Sequence, residues 1–214
     1  MAESLEKKAI EIYNRLNTNY PNAACSLNHK DPVQLLVSTI LSAQCTDKQV
    51  NKITPKLFEK CKTPEDFVRI DMDELMELIK PAGFFKNKAK AVKESMQIIV
   101  KDYNGNVPRS LEELIKLPGV GRKTANVVLG DGYGIPSIVV DTHVKRISRR
   151  LGLTNEKDPV KIEFDLMKIF PEDTWIKLGH LMIDHGRKVC NARNPKCEVC
   201  FLEDLCDFYN KRDI

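Results

Sequence analysis

Leu114-Ile-Lys-Leu-Pro-Gly-Val-Gly-Arg-Lys-Thr-Ala-Asn-Val-Val-Leu129 is the stretch that decides how this chain folds. A helical pattern stops at Pro118, turns through Gly119-Val120-Gly121 and resumes, with Ser110 and Glu113 spaced as a capping box ahead of Leu114. Helix, tight turn, helix is a helix-hairpin-helix signature. The two glycines permit positive φ angles and strip the turn of side chains, so amides opening the second helix can reach a phosphate. Such a contact holds DNA without reading its sequence. Gly119, Val120, Gly121, Arg122 and Thr124 are therefore candidate DNA contacts. Lys123 fits two roles by spacing alone, a phosphate contact or a reactive amine.

Outward from the hairpin, helix starts recur. Asp31-Pro32, Thr63-Pro64 and Asp158-Pro159 each set a capping residue before a proline suited to the first helical position. Val33, Leu36, Val37, Ile40 and Leu41 follow helical spacing. The clearest extended run, Ile135 to Val140, is too short to build a sheet and contains Pro136. The chain is expected to be all-α, with about ten helices joined by turn-length connections and no flexible linker.

Composition sets outer bounds. Hydrophobic residues make up 42% and charged residues 30% of 214, a globular balance with enough apolar matter for a core. Basic residues outnumber acidic ones by 34 to 30, a small excess that permits an anionic partner without requiring one. No apolar run is long enough to span a bilayer, and Met1 to Leu16 reads as an amphipathic helix without a signal-peptide core. A soluble monomer in the cytoplasm, free of membrane, is expected.

Four of the seven cysteines form Cys190-x6-Cys197-x2-Cys200-x5-Cys206. In a reducing compartment this reads as a metal site, and four thiolates suit either zinc or an iron-sulfur cluster. Zinc ribbons usually carry two close pairs, whereas this run has one pair and two singles. Cys25, Cys45 and Cys61 read as buried fillers. Arg187, Lys188, Arg193 and Lys196 surround the ligands and can form a basic edge for phosphates. Asp141 opens a helical pattern through Val144, Ile147 and Leu151, so by pattern it is a helix cap. Pro81-Ala-Gly-Phe-Phe85 is a turn with two adjacent aromatics, expected to split into one packed and one presented.

With Leu41-Ser-Ala-Gln44, Thr46-Asp47, the hairpin, Val140-Asp-Thr-His-Val144 and the cysteine tail in this order, nearly the whole chain resembles the endonuclease III branch of the helix-hairpin-helix DNA glycosylases. The resemblance implies a bifunctional base-excision repair enzyme that removes oxidised pyrimidines from damaged double-stranded DNA and cleaves abasic sites by β-elimination. It implies Lys123 as nucleophile and Asp141 as the carboxylate beside it, facing a cleft between two helical domains. A six-helix domain would span 25–135 and an iron-sulfur domain would join 1–24 to 136–214. The four cysteines would hold one four-iron four-sulfur cluster, Gln44 would plug the stack vacated by a flipped nucleotide, and Phe84 or Phe85 would wedge the opposite strand. A nucleoid-associated enzyme of prokaryotic type follows.

The chemistry supports these residue types. An amine at C1′ forms an iminium that acts as an electron sink for eliminating the 3′ phosphate, which a hydroxyl or carboxylate cannot do. A lysine near pKa 10.4 must first lose its proton, which the positive end of a helix dipole and desolvation both favour. A neighbouring carboxylate works against that loss, so Asp141 is better read as supporting positive charge on the sugar. Two rival readings stand beside this one. An adenine-mismatch glycosylase shares hairpin and cluster but uses a glutamate in the Gln44 helix, where Thr39 stands here, and carries a further C-terminal domain, where this sequence runs to Ile214. A non-catalytic hairpin module would use Lys123 only to grip phosphate.

Overall fold

The computed structural model describes residues 2–210, and its helices begin where short polar side chains meet the orphan amides of a first turn. After α1 (Ala2–Asn19), Asp31 accepts from Gln34 N at the head of α2 (Pro32–Ser42). Thr46 caps α3 (Asp47–Lys60), Thr63 caps α4 (Pro64–Arg69) and Asp71 caps α5 (Met72–Ile79). The long α6 (Phe85–Tyr103) has no capping side chain. Ser110 caps α7 (Leu111–Leu114) with a single bond from Glu113 N, while the full reciprocal box forms at Thr63 and Asp66. Then come α8 (Arg122–Val127), α9 (Thr142–Arg150), α10 (Pro159–Ile169), α11 (Trp175–Lys188) and α12 (Asp207–Asn210). Among the described residues there is no strand, and residues 135–140 form neither helix nor strand. No helix is long and apolar enough to cross a membrane.

The chain divides into two compact units, one of Cys25–Ile135 and one of the described residues of Met1–Ala24 with Pro136–Ile214. In the middle unit α6 packs on α4 and α5, and α2 packs on α3. Leu35, Leu36, Leu41, Leu57, Phe67, Leu75, Ile79, Met96, Ile99 and Leu114 are fully buried in its core. Truncating a buried residue of this kind, such as Phe67, to alanine typically costs about 3–5 kcal/mol. In the other unit α1 brings Ala9, Ile12 and Leu16 onto Val144 and Ile147 of α9, Ile162 and Leu166 of α10, and Leu178 and Leu181 of α11. Arg15 of α1 also grips Asp204 and the Phe201 carbonyl, so helix and tail are held by charge as well as by apolar contact.

The hairpin turn uses its glycines unequally. Gly119 takes φ 76°, and a methyl group there would lie 2.8 Å from Ala91 Cβ, so both the backbone and the α6 face demand glycine. Gly121 instead sits at φ −92°, ψ 174°, with open space around it, so of the two only Gly119 uses the positive φ that glycine permits. Gly119→Ala is therefore expected to lower stability in a denaturant titration by about 2 kcal/mol. Gly121→Ala should stay within about 0.5 kcal/mol of wild type in the same titration.

Candidate active site

The hairpin ends in a helix whose first-turn amides no side chain satisfies. Gly121 caps α8 with backbone alone, whereas Asp31, Thr46, Thr63, Asp71, Ser110, Asp141 and Asp158 all lend a side chain to their helices. An uncapped N-terminus is an anion site in waiting, and with no Cβ at Gly121 an oxyanion can come close. Val120 differs from expectation. Its side chain is buried in the core and its amide donates to the Leu117 carbonyl, so beyond its own carbonyl it shapes the turn and offers DNA little. Gly119 is exposed, and Arg122 and Thr124 are half-buried.

Lys123 lies in the first turn of α8 and is exposed, so the chain's own packing does not desolvate its ammonium. Behind it Ala125 and Asn126 are buried, and the helix widens into a π-helical turn at Val128–Gly132. Such turns let a helix change course without ending, and they recur near functional positions.

Asp141 heads α9 and its Oδ1 accepts from His143 N and Val144 N, each at 2.8 Å. The cap reading is therefore correct as structure. Both bonds fall on one oxygen, leaving Oδ2 outside the cap. Beside it, burial pulls the His143 imidazole below its ordinary range, with Asp141 opposing and Arg146 and Arg187 adding to the shift.

Gln44 and Phe84 share a backbone peculiarity. Among the described residues only Gln44 (φ 53°), Phe84 (φ 47°) and Asn104 (φ 51°) are non-glycine residues at positive φ. Asn104 is an ordinary asparagine cap ending α6, but glutamine and phenylalanine gain nothing from this conformation. Both project from turns and both are exposed, Phe84 at 65%. Phe85 packs against the core instead, so the adjacent pair divides into one buried ring and one presented ring. Thr39, on the helix that leads to Gln44, is 7% exposed and donates its hydroxyl to the Leu35 carbonyl, so no acid stands there.

Cys190, Cys197, Cys200 and Cys206 line one pocket, walled also by Ile147, Leu151 and His185. Among the described residues no three His, Cys, Asp or Glu side chains converge tightly enough for a single ion, which a tetrahedral zinc site requires. Four thiolates that line one pocket without converging on a point suit a polynuclear core. Burial pushes the Cys200 thiol up to about 11, with Cys190, Cys206 and Cys197 adding to it, so four thiolates here need a compensating cationic core. The residues fit an iron-sulfur cluster.

The loop is held by groups the sequence did not reveal. Arg150 donates to Cys190 Sγ at 3.2 Å and to the Asn191 and Ala192 carbonyls, while Arg146 donates to the Cys190 and Gly186 carbonyls. His185 is 2% exposed, held neutral by burial with a pKa of about 4, and lies between Tyr20 Oη at 3.2 Å and Cys200 Sγ at 3.7 Å. The i, i+4 arginines on one helix face were the available signal. Arg187, Lys188, Arg193 and Lys196 are all exposed on or beside this loop, with Lys188 paired to Asp184 at 3.2 Å.

Comparison with known proteins places these features. Residues 37–172 match the HhH-GPD superfamily base excision DNA repair protein model, and residues 190–206 match the iron-sulfur binding domain of endonuclease III. The chain is 51% identical to the endonuclease III of Synechocystis sp. over 204 residues, 95% of this chain and 93% of that one. It is similar to a non-covalent endonuclease III–DNA complex, with a TM-score of 0.91, 42% identity and coverage of 97% of this chain and 98% of that one. It is equally similar to a trapped covalent endonuclease III–DNA intermediate, with a TM-score of 0.91, 42% identity and coverage of 98% and 99%.

Cys200→Ser is expected to strip the visible absorbance and iron content of the purified protein and to loosen residues 190–206, because losing one ligand opens the core. Metal analysis and visible spectra check this. A colourless wild-type protein with stoichiometric zinc contradicts it.

Proposed function

Because the chain belongs to the HhH-GPD superfamily of base excision DNA repair proteins, in its endonuclease III branch, we propose that Lys123 is the nucleophile and Asp141 the charge-stabilising carboxylate of its glycosylase and lyase reactions. The chain is a DNA glycosylase and abasic-site lyase of base-excision repair with damaged double-stranded DNA as partner, and its cofactor is a four-iron four-sulfur cluster. The observation that carries the residue assignment is an exposed lysine in the first turn of α8, directly after the glycine turn and on a start that no side chain caps. The turn that takes a phosphate thereby brings an amine to the sugar.

The steps follow from those groups. A phosphate on the α8 amides fixes the strand, and closing DNA over the exposed Lys123 removes the water its ammonium needs, which together with the helix dipole favours release of the proton. Nζ bonds to C1′ as the base departs with the electrons of its glycosidic bond and takes up a proton. Positive charge grows on the sugar during that departure, and the Asp141 carboxylate, oriented by its cap bonds, stabilises it. Ring opening leaves an iminium between Lys123 and C1′. Loss of a proton from C2′ then expels the 3′ phosphate with its bonding electrons, and water releases the lysine. Oxidised pyrimidines are the proposed bases.

Gln44 enters the vacated stack and Phe84 wedges the opposite strand, for which their exposed, strained turns suit them. Gly119, Gly121, Arg122 and Thr124 hold one stretch of backbone; Arg187, Lys188, Arg193 and Lys196 hold another. The cluster, gathered by Cys190, Cys197, Cys200 and Cys206, stiffens the loop that bears the second group. Thr39 speaks against adenine-mismatch chemistry, since its hydroxyl is spent on the Leu35 carbonyl. The working place of such an enzyme is with the chromosome in a bacterial cytoplasm.

Lys123→Gln should abolish covalent trapping by borohydride on an abasic duplex while DNA binding stays within about 3-fold. A normal trapping yield would hand the chemistry to another amine and favour the binding-module reading. Asparagine caps helices about as well as aspartate, so Asp141→Asn separates charge from capping. Base excision is expected to fall about 100-fold with the melting temperature unchanged, and cleavage of a ready-made abasic site to fall less. Affinity should drop linearly on a log-log salt plot, and Gly121→Ala should weaken it at every salt concentration.

A further inference from the structure

Lys88 is the one lysine of α6 that is buried, at 6% exposure, and none of the ion pairs found among the described residues includes it. Its Nζ donates to the Leu41 carbonyl at 2.9 Å and to the Ala82 carbonyl at 2.8 Å. Its own amide donates to the Phe84 carbonyl at 3.1 Å. A buried ammonium is costly, and a methionine would fill the same space without that cost, so the cation is there for what its hydrogen bonds do.

Those bonds join two particular places. Leu41 lies in the last turn of α2, whose carbonyls have no partner further along the helix, and the chain beyond it bends into Gln44. Ala82 closes the Lys80–Ala82 turn, and the chain beyond it bends through Gly83, at φ 68°, into Phe84. Left-handed conformations at glutamine and phenylalanine persist only where the surroundings over-determine them. One side chain from α6 pins the entrance to both.

We propose that Lys88 is a positioning residue that couples the Gln44 turn to the Phe84 turn, so that plug and wedge are presented as one rigid pair. The idea rests on the reading of Gln44 and Phe84 as stack-inserting residues. Lysine suits the task because a single tetrahedral donor can serve two carbonyls from separate segments. Loss of the ammonium would free the two turns to move independently and leave two buried carbonyls unsatisfied.

The test is Lys88→Met, which keeps the stem and deletes the donors. Excision from a lesion-bearing duplex is expected to fall at least about 10-fold, while lyase activity on a single-stranded abasic site stays within about 2-fold. Amides of residues 43–45 and 83–85 should exchange faster with deuterium while those of α4 and α5 do not. Added to the Gln44→Ala/Phe84→Ala pair, Lys88→Met should cause no further duplex loss, since all three disable one device. Equal loss on both substrates would mean that Lys88 only supports the fold, and additive losses that it acts elsewhere; either overturns the proposal. If Gln44→Ala and Phe84→Ala both process duplex as wild type does, the insertion reading falls first, and is recognised separately from a failure of Lys88. Should Lys88→Met not fold, Lys88→Arg, which keeps a donor on a larger head, is expected to show the same split between substrates, and an even loss overturns the proposal as before.

Discussion

The backbone groups at helix ends must find partners, and in a chain made almost wholly of short helices this constraint recurs at every turn. Asp31, Thr46, Thr63, Asp71, Ser110, Asp141 and Asp158 meet it at N-termini with a side chain from the chain itself. At α8, as at α6 and α11, no side chain caps the start, and at α8 the first turn carries Lys123. At a C-terminus the same debt falls on carbonyls, and at α2 an ammonium from another helix meets part of it.

What could be read from residues was what is local. Proline after a capping residue marks a helix start within one turn, so Asp31, Thr63 and Asp158 announced α2, α4 and α10, and Asp141 announced α9. By spacing the two glycines mark a hairpin turn and the four cysteines a metal site, but spacing leaves zinc and an iron-sulfur cluster both open. Roles for Lys123, Asp141 and Gln44 were not legible that way: each has an ordinary structural use, and only the order of several motifs weighed against it. Legibility failed where partners are far apart in the chain. Lys88 bonds across 47 positions to Leu41 and Arg150 across 40 to Cys190, and neither partner can be named from the residue's own surroundings in the sequence. The inequality of Gly119 and Gly121, and of Phe84 and Phe85, depends on which neighbour lies within a few ångströms, and adjacent residues of the same type look alike until that neighbour is known.

In the role proposed for it, Asp141 would serve stability and chemistry with one side chain and without conflict. Capping uses Oδ1 and fixes the carboxylate plane, and the same fixation orients Oδ2 in advance. A preoriented charge need not reorganise when positive charge develops near it, which is where electrostatic stabilisation gains most of its effect. The cluster loop repeats the principle with arginine. Arg146 and Arg150 neutralise carbonyls of a segment built from single turns, a segment with little apolar matter of its own.

The pairing of α1 with the tail has a consequence for how the protein is made. A ribosome releases α1 ahead of its partners, with Ala9, Ile12 and Leu16 lacking the neighbours that α9, α10 and α11 later provide. The unit from Cys25 to Ile135 can complete its own core in the meantime, since every helix it packs has by then emerged. Until Asp204 follows to meet Arg15, the opening helix is an amphipathic segment awaiting its acceptor. Vectorial synthesis therefore imposes an order in which the hairpin-bearing unit matures ahead of the iron-binding one, and a stalled or truncated chain would expose the apolar stripe of α1 to aggregation or to the chaperones that suppress it.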